Sequence, residues 1–242
     1  MCATCGCHEH SHQPVETSRM VKVEQDLLAK NDRHAAANRR WLARRGVTMF
    51  NLMASPGAGK TSLLVRTLQE LGDEVAFAVI EGDQQTRLDA ERIEACGIPV
   101  QQVNTGKGCH LDAHQVGHAL TDLDPPEGSV VLVENVGNLV CPAGFDLGEQ
   151  ARVVLLSVTE GEDKPLKYPH MFHHADLVIL TKTDLLPYVE FDVSRCIEHA
   201  RRLRPGVPVL QLSVKTGEGL ASWYAWMQAQ RRHQVEARLA QA

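Results

Sequence analysis

No apolar run in this chain approaches the ~20 residues that a membrane-spanning helix needs, and its N-terminus, M-C-A-T-C-G-C-H, has no apolar signal-peptide core. The expectation is therefore a cytoplasmic protein with no membrane partner. Positive charge is also short: 30 Asp and Glu against 25 Lys and Arg leave a net charge of −5, which gives no electrostatic footing for nucleic acid. In a reducing compartment structural disulfides are disfavoured, so the seven cysteines point to metal or redox chemistry where they cluster. What is present is a chain of 242 residues, 43% hydrophobic, long enough to bury one substantial core with appendages.

The strongest signal is Ala54 to Thr61, A-S-P-G-A-G-K-T, which follows the hydrophobic run Val47 to Met53. It reads as a strand, a phosphate-binding loop and the start of a helix. Gly57 and Gly59, flanking Ala58, free the backbone so that successive N–H groups turn toward phosphate oxygens. A helix opening at Lys60, Thr61 and Ser62 adds the positive end of its dipole. Lys60 reaches for the β- and γ-phosphates, and the Thr61 hydroxyl is a magnesium ligand in such loops. The strict pattern has glycine where this chain has Ala54, so only the second half of the motif matches.

Further hydrophobic runs at Val75–Ile80, Pro99–Val103, Val130–Glu134, Val153–Val158, Leu177–Thr181 and Val209–Leu212 alternate with helical segments. Continuous Val, Ile and Leu runs predict strands buried on both faces, hence an α/β fold with a mostly parallel sheet of about seven strands flanked by helices. Ligands should then gather at the carboxyl edge of that sheet. Polar residues stand at several of those strand ends. Asp83 in E-G-D and Glu134 in E-N-V-G-N are candidate Mg²⁺ ligands and, with Lys60, candidate catalytic residues; Gly137 could let the backbone meet a γ-phosphate. Lys182 and Asp184 in T-K-T-D resemble the N-K-x-D element of GTPases. A carboxylate at Asp184 can accept from both N1–H and the exocyclic amine of guanine, while Lys182 lies along the base with its aliphatic stem. Thr181 replaces the usual asparagine, which leaves the preference between GTP and ATP open. Ser213 and Lys215 resemble the looser S-A-K element behind the base.

Two groups of soft ligands stand apart from this set. Cys2, Cys5 and Cys7, followed by His8, His10 and His12, can wrap one soft or borderline cation such as nickel, copper or zinc. Cys109, His110 and Cys141 follow separate strands at the functional edge, and Cys141 lies seven residues after Glu134, so a metal there would be tied to the nucleotide state. Three ligands leave an open position, suited to a labile site. His114 and His118 continue from His110 at i+4 spacing, so a helix would align all three; His114, His118 and His34 are read as solvated face residues. Cys96 and Cys196 are read as small buried side chains. The layout expected is a Cys/His-rich tail at 1–17, a leading amphipathic helix at 18–45, and a P-loop domain carrying the second metal site at 46–242.

C-x-x-C-G-C at the start, E-G-D-Q-Q-T at 81–86, N-T-G-K-G-C-H-L-D-A at 104–113, E-N-V-G-N-L-V-C-P at 134–142 and S-V-T-E-G-E-D-K-P-L-K-Y-P-H-M-F at 157–172 together resemble a HypB-type hydrogenase maturation factor. These are nickel-binding GTPases of the SIMIBI class of P-loop NTPases. The resemblance implies a high-affinity Ni²⁺ site at Cys2, Cys5 and Cys7 and a weaker Ni²⁺ or Zn²⁺ site at Cys109, His110 and Cys141. It implies a homodimer formed when GTP is bound, with the second metal site at or near the interface. Nickel would pass by way of a HypA-type partner to the hydrogenase large-subunit precursor. It also implies slow GTP hydrolysis, in keeping with the absence of a recognisable activating arginine or glutamine. The long histidine-rich run by which some relatives store nickel is missing, so delivery is expected rather than storage. Lys164 and Lys167 are expected at the nucleotide, the partner subunit or the plain surface. Rival readings are a urease-type nickel GTPase, whose metal motif would be a single Cys-Pro-His; a metal buffer merely gated by nucleotide; and an ATP-dependent metallochaperone.

Overall fold

The computed structural model describes residues 14–83, 87–106 and 108–240, with side-chain surroundings from residue 25 onward. Cys2, Cys5, Cys7, His8, His10 and His12 lie outside the described residues. The chain runs α1 (Pro14–Arg45), β1 (Thr48–Ala54), α2 (Lys60–Leu71), β2 (Phe77–Asp83), α3 (Leu88–Glu94), β3 (Val100–Asn104), α4 (Ala113–Leu123), β4 (Val130–Glu134), β5 (Ala151–Ser157), α5 (Lys164–Lys167), α6 (Pro169–His173), β6 (Leu177–Thr181), α7 (Val193–Leu203), β7 (Val209–Gln211) and α8 (Leu220–Leu239). Two 3₁₀ turns, Cys141–Gly144 and Thr183–Tyr188, follow β4 and β6.

The seven strands form one sheet in the order β3-β2-β4-β1-β5-β6-β7, and every pairing is parallel. β1 is central, paired with β4 on one side (Leu52 beside Glu134) and β5 on the other (Ala54 beside Leu155). Its continuous apolar run has a physical cause: alternate residues serve two covered faces. Phe50 and Leu52 pack with Leu63, Leu64 and Leu68 of α2 and with Trp223 and Met227 of α8. Met49 faces Leu42 of α1 and Val116 and Leu120 of α4, while Met53 faces Met171 and Phe172 of α6 and Cys196 and Ala200 of α7. Trp223 is fully buried, edge-on to Phe50, and its indole N–H donates to the Thr67 hydroxyl at 3.0 Å, which satisfies the one polar atom it carries inward.

The expected strands are all present. β2 runs three residues past its expected end at Ile80, because Glu81, Gly82 and Asp83 continue the ladder beside Gln102, Val103 and Asn104 of β3. α1 begins at Pro14 rather than Ser18 and ends where Gly46 takes a positive φ of 64°. It reaches beyond hydrophobic packing. Asn31 donates to the Asp146 carbonyl and accepts from Ala113 N–H, while Asn38 donates to the carbonyls of Ala113 and Leu147. At the other end of the sheet, Arg231 of α8 donates to the Gly128 carbonyl, and Arg238 packs on Gly46 and pairs with Glu127. α8 thus finishes beside the N-terminal ends of β1 and β4.

Candidate nucleotide and metal site

The carboxyl edge of the sheet collects the residues singled out above. β1 ends in a loop whose Gly57 and Gly59 hold φ of 76° and 102°, a region that strains any residue with a Cβ. Lys60 and Thr61 open α2 beneath that loop, nearly buried. A cleft of about 550 Å³ lies over them, lined by Gly57, Gly59, Lys60, Thr61, Ser62, Asp83, Glu134 and Gly137. Gly137 is close to the loop: a Cβ there would lie 3.1 Å from Pro56.

Glu134 closes the floor. It is 4% exposed, and its Oε1 accepts from the Thr61 hydroxyl at 2.7 Å. Beside it in register on β2 stands Glu81, 3% exposed. Burial, then the charges of Glu134 and Asp83, push the Glu81 carboxyl up to about 7. Burial pushes Glu134 up to about 7 as well, against the pull of Lys60 and the Thr61 hydrogen bond. One oxygen of each, Oε2, has no hydrogen-bond partner among the described residues. Two buried carboxylates with orphaned oxygens, a hydroxyl between phosphate loop and acid, and Asp83 at the rim form a hard oxygen donor set that fits Mg²⁺.

The base end is a second cavity of about 420 Å³ lined by Ala58, Gly59, Ser62, Thr181, Lys182, Asp184, Leu185, Val214 and Lys215. Gly59, Ser62 and Lys182 border both spaces, so the two lie side by side. Ser213, fully buried, donates to Asp184 Oδ1 at 2.6 Å and so aims the carboxylate from behind. Thr181 turns the other way: its hydroxyl donates to the Ala58 carbonyl at 2.7 Å, and Lys182 Nζ donates to the Gly57 carbonyl at 2.7 Å. The threonine in the asparagine position therefore ties the base loop to the phosphate loop.

Cys109, His110 and Cys141 converge, their ligand atoms all within 4.8 Å of one another. A hydrogen bond with the Cys141 thiol and then burial push the Cys109 thiol up, and burial pushes His110 down. The imidazole is thus held neutral against the Phe145 ring at 3.9 Å, with two thiols beside it. A neutral imidazole and two thiols that lose protons to a cation form a donor set for Ni²⁺ or Zn²⁺ with an open position.

Two expectations fail. α4 begins only at Ala113, because Asp112 caps it in a reciprocal pair with Gln115, so His110 lies outside the helix and does not share a face with His114 and His118. His34 is half-buried rather than solvated, edge-on to His114 at 4.8 Å. Lys164 and Lys167 pair with Glu160 and Asp163 one turn away, outside the nucleotide cleft. Cys196 is buried as expected and Cys96 half-buried. Glu81 and Arg92, both lining the cleft, were not singled out by motif. Glu81 opens the E-G-D that ends β2, but its pairing with Glu134 is not visible along the chain, and nothing local marks Arg92.

The chain is similar to known proteins in sequence and in fold. Residues 48–211 match the model of the CobW/HypB/UreG nucleotide-binding domain. The hydrogenase maturation factor HypB of Azotobacter vinelandii is 58% identical over 230 residues, 95% of this chain and 76% of the relative. The crystal structure of hydrogenase maturation factor HypB from Archaeoglobus fulgidus is similar with a TM-score of 0.79 at 39% identity, covering 84% of this chain and 99% of that one. HypB from Helicobacter pylori in complex with nickel has a TM-score of 0.79 at 38% identity, covering 85% and 97%.

Proposed function

Since the chain belongs to the CobW/HypB/UreG nucleotide-binding family and, within it, to the hydrogenase maturation factors HypB, we propose that it is a GTP-hydrolysing nickel metallochaperone that helps insert nickel into [NiFe]-hydrogenase. The observation that carries this reading is the segment leaving β4. Glu134, bonded to Thr61 of the phosphate loop, and Cys141, in the metal cluster, stand seven residues apart on it. A cargo site and a nucleotide sensor share one piece of backbone.

Gly57, Ala58, Gly59, Lys60 and Ser62 hold the phosphates. Thr61, Asp83 and Glu134 hold Mg²⁺, with Glu81 as the fourth oxygen donor at hand. That ion would neutralise charge developing on the transferred phosphoryl group. Glu134 holds and orients the attacking water. Hydrolysis is slow, in keeping with the lack of a recognisable activating arginine or glutamine; Arg92, which lines the cleft, pairs with Asp89 at 3.2 Å. Asp184, aimed by Ser213, accepts the guanine edge; Lys182 and Lys215 flank the ring. The Thr181 hydroxyl, though at the wall of the base cavity, is taken up by the Ala58 carbonyl; that leaves Asp184 as the group that reads the base and supports GTP over ATP.

Nickel is cargo. Cys2, Cys5 and Cys7 take it tightly, Cys109, His110 and Cys141 take nickel or zinc more weakly, and GTP brings two copies together with the second site near their interface. A HypA-type chaperone and the hydrogenase large-subunit precursor are the downstream partners in the cytoplasm. The nickel complex of the Helicobacter pylori relative supports the choice of metal. The test is a nickel titration of the full chain and of one lacking residues 1 to 7, with and without a non-hydrolysable GTP analogue. Loss of a tight site on truncation, leaving a weaker one that responds to nucleotide, is the expected result. Identical binding by both chains would refute the tail site.

A further inference from the structure

Nothing assigned so far explains Asn135, which follows Glu134 at the carboxyl edge of the sheet and is 2% exposed. Its Oδ1 accepts from Leu111 N–H at 3.2 Å and from Val136 N–H at 3.0 Å. Both donors are backbone N–H groups, so the amide orientation is fixed and Nδ2 must donate; it does, to Asn51 Oδ1 at 3.2 Å. Leu111 directly follows His110, and its side chain packs over Gly82, where a Cβ would lie 2.7 Å from it, between Glu81 and Asp83. One bond from Asn135 thus reaches the Cys109–His110 arm of the metal cluster.

The other direction reaches the Cys141 arm. Asn51, fully buried on central β1, donates to Glu149 Oε1 at 3.4 Å. Glu149 also accepts from Leu147 N–H and from Arg152 Nε, both at 2.7 Å, and Arg152 Nη1 donates to the Ala143 carbonyl at 3.2 Å, inside the turn that begins at Cys141. Burial favours the neutral Glu149 carboxyl and Arg152 opposes that, so the pair is held by its partners. The bonds of Asn135 to Leu111 and Asn51, and of Glu149 to Asn51 and Leu147, are buried, so a shift at one end leaves orphaned polar atoms in this stretch unless the other end follows.

We propose that Asn135 is the positioning residue that couples nucleotide state to the geometry of the Cys109–His110–Cys141 site. It rests on the nucleotide-dependent nickel site proposed above. A shift of the Glu134–Gly137 backbone on exchange of GTP for GDP moves the Asn135 amide. The Leu111 and Asn51 bonds carry that shift to both arms of the cluster at once.

The experiment uses the full chain with Cys2, Cys5 and Cys7 changed to serine, so that only the second site binds. Nickel dissociation constants are read from the nickel–thiolate charge-transfer absorbance in GDP and in a non-hydrolysable GTP analogue. The parent should show a ratio of about fivefold or more between the two states, the lower range for linked sites. In Asn135→Ala that ratio should fall to about one, while nucleotide affinity and nickel affinity in GDP each stay within about fivefold of the parent. A parent-like ratio in Asn135→Ala overturns the assignment of Asn135 and leaves the functional reading standing. A ratio of one in the parent overturns the nucleotide-dependent site, and the proposal with it. Should Asn135→Ala not fold, Asn51→Ala, which cuts only the arm toward Ala143, is read in the same way: a reduced ratio supports the coupling and an unchanged one overturns it.

Discussion

Two buried glutamates decide how this site responds to pH. Glu81 and Glu134 keep their protons to about pH 7 in the folded chain against an ordinary value of 4.5. Between those values the folded state binds more protons than the unfolded one, so their contribution to stability is lost as pH rises from about 4.5 to about 7. For the chain free of nucleotide and Mg²⁺, Glu81→Gln should flatten the fall of the thermal midpoint across that window, and an unchanged slope would refute the pairing. Asp184→Asn removes the carboxylate that matches guanine and should weaken GTP binding by about 100-fold while leaving ATP binding unchanged, since a site built to pair with particular substrate donors discriminates steeply. Competition binding measures it. At this scale the sequence was informative where a motif itself names the side chain's chemistry, as with Lys60, Thr61, Asp184 and the cysteine pair. Glu81 and Asn135 escaped because their importance comes from neighbours on other strands, and a linear pattern does not show that Glu81 stands beside Glu134 or Asn135 under Leu111.

The element that exceeds its sequence description is α1. Its apolar spacing identified a helix packed on the domain, but not that Asn31 and Asn38 satisfy the backbone at Ala113, Asp146 and Leu147. Ala113 opens the helix after Cys109 and His110, and Asp146 and Leu147 follow the Cys141 turn, so α1 holds both metal-bearing segments. Asn38→Ala leaves two buried carbonyls short of a donor and should cost about 1–3 kcal/mol, seen as a lower urea midpoint. Arg39→Ala removes only the exposed pair with Asp146 and should cost under about 1 kcal/mol. Equal losses in the two variants would contradict the distinction between buried and exposed ties. The strands, by contrast, were legible to within two or three residues, because burial on both faces leaves continuous Val, Ile and Leu runs; β2 starts two residues late and runs on where pairing with β3 carries polar residues into the ladder, and β5 starts two residues early.

Across the whole molecule, a single parallel sheet brings nucleotide cleft, base cavity and metal cluster to one edge, as the expected parallel strands with polar ends foretold. The bridges that close that edge, Thr181 to Ala58 and Lys182 to Gly57, link residues more than a hundred positions apart and had no local signature. Light scattering should report a doubling of mass on addition of a GTP analogue to the parent chain and none for Lys60→Ala, which loses the phosphate anchor; doubling in both would separate assembly from nucleotide. The far edge has a practical meaning. α8 ends there, with Arg238 against Gly46 and Glu127, so an anchor or fluorophore attached near Leu239 stands opposite the nucleotide cleft, the base cavity and the Cys109–His110–Cys141 cluster. A chip or optical trap that grips the protein at that point leaves its working edge open to nucleotide and metal.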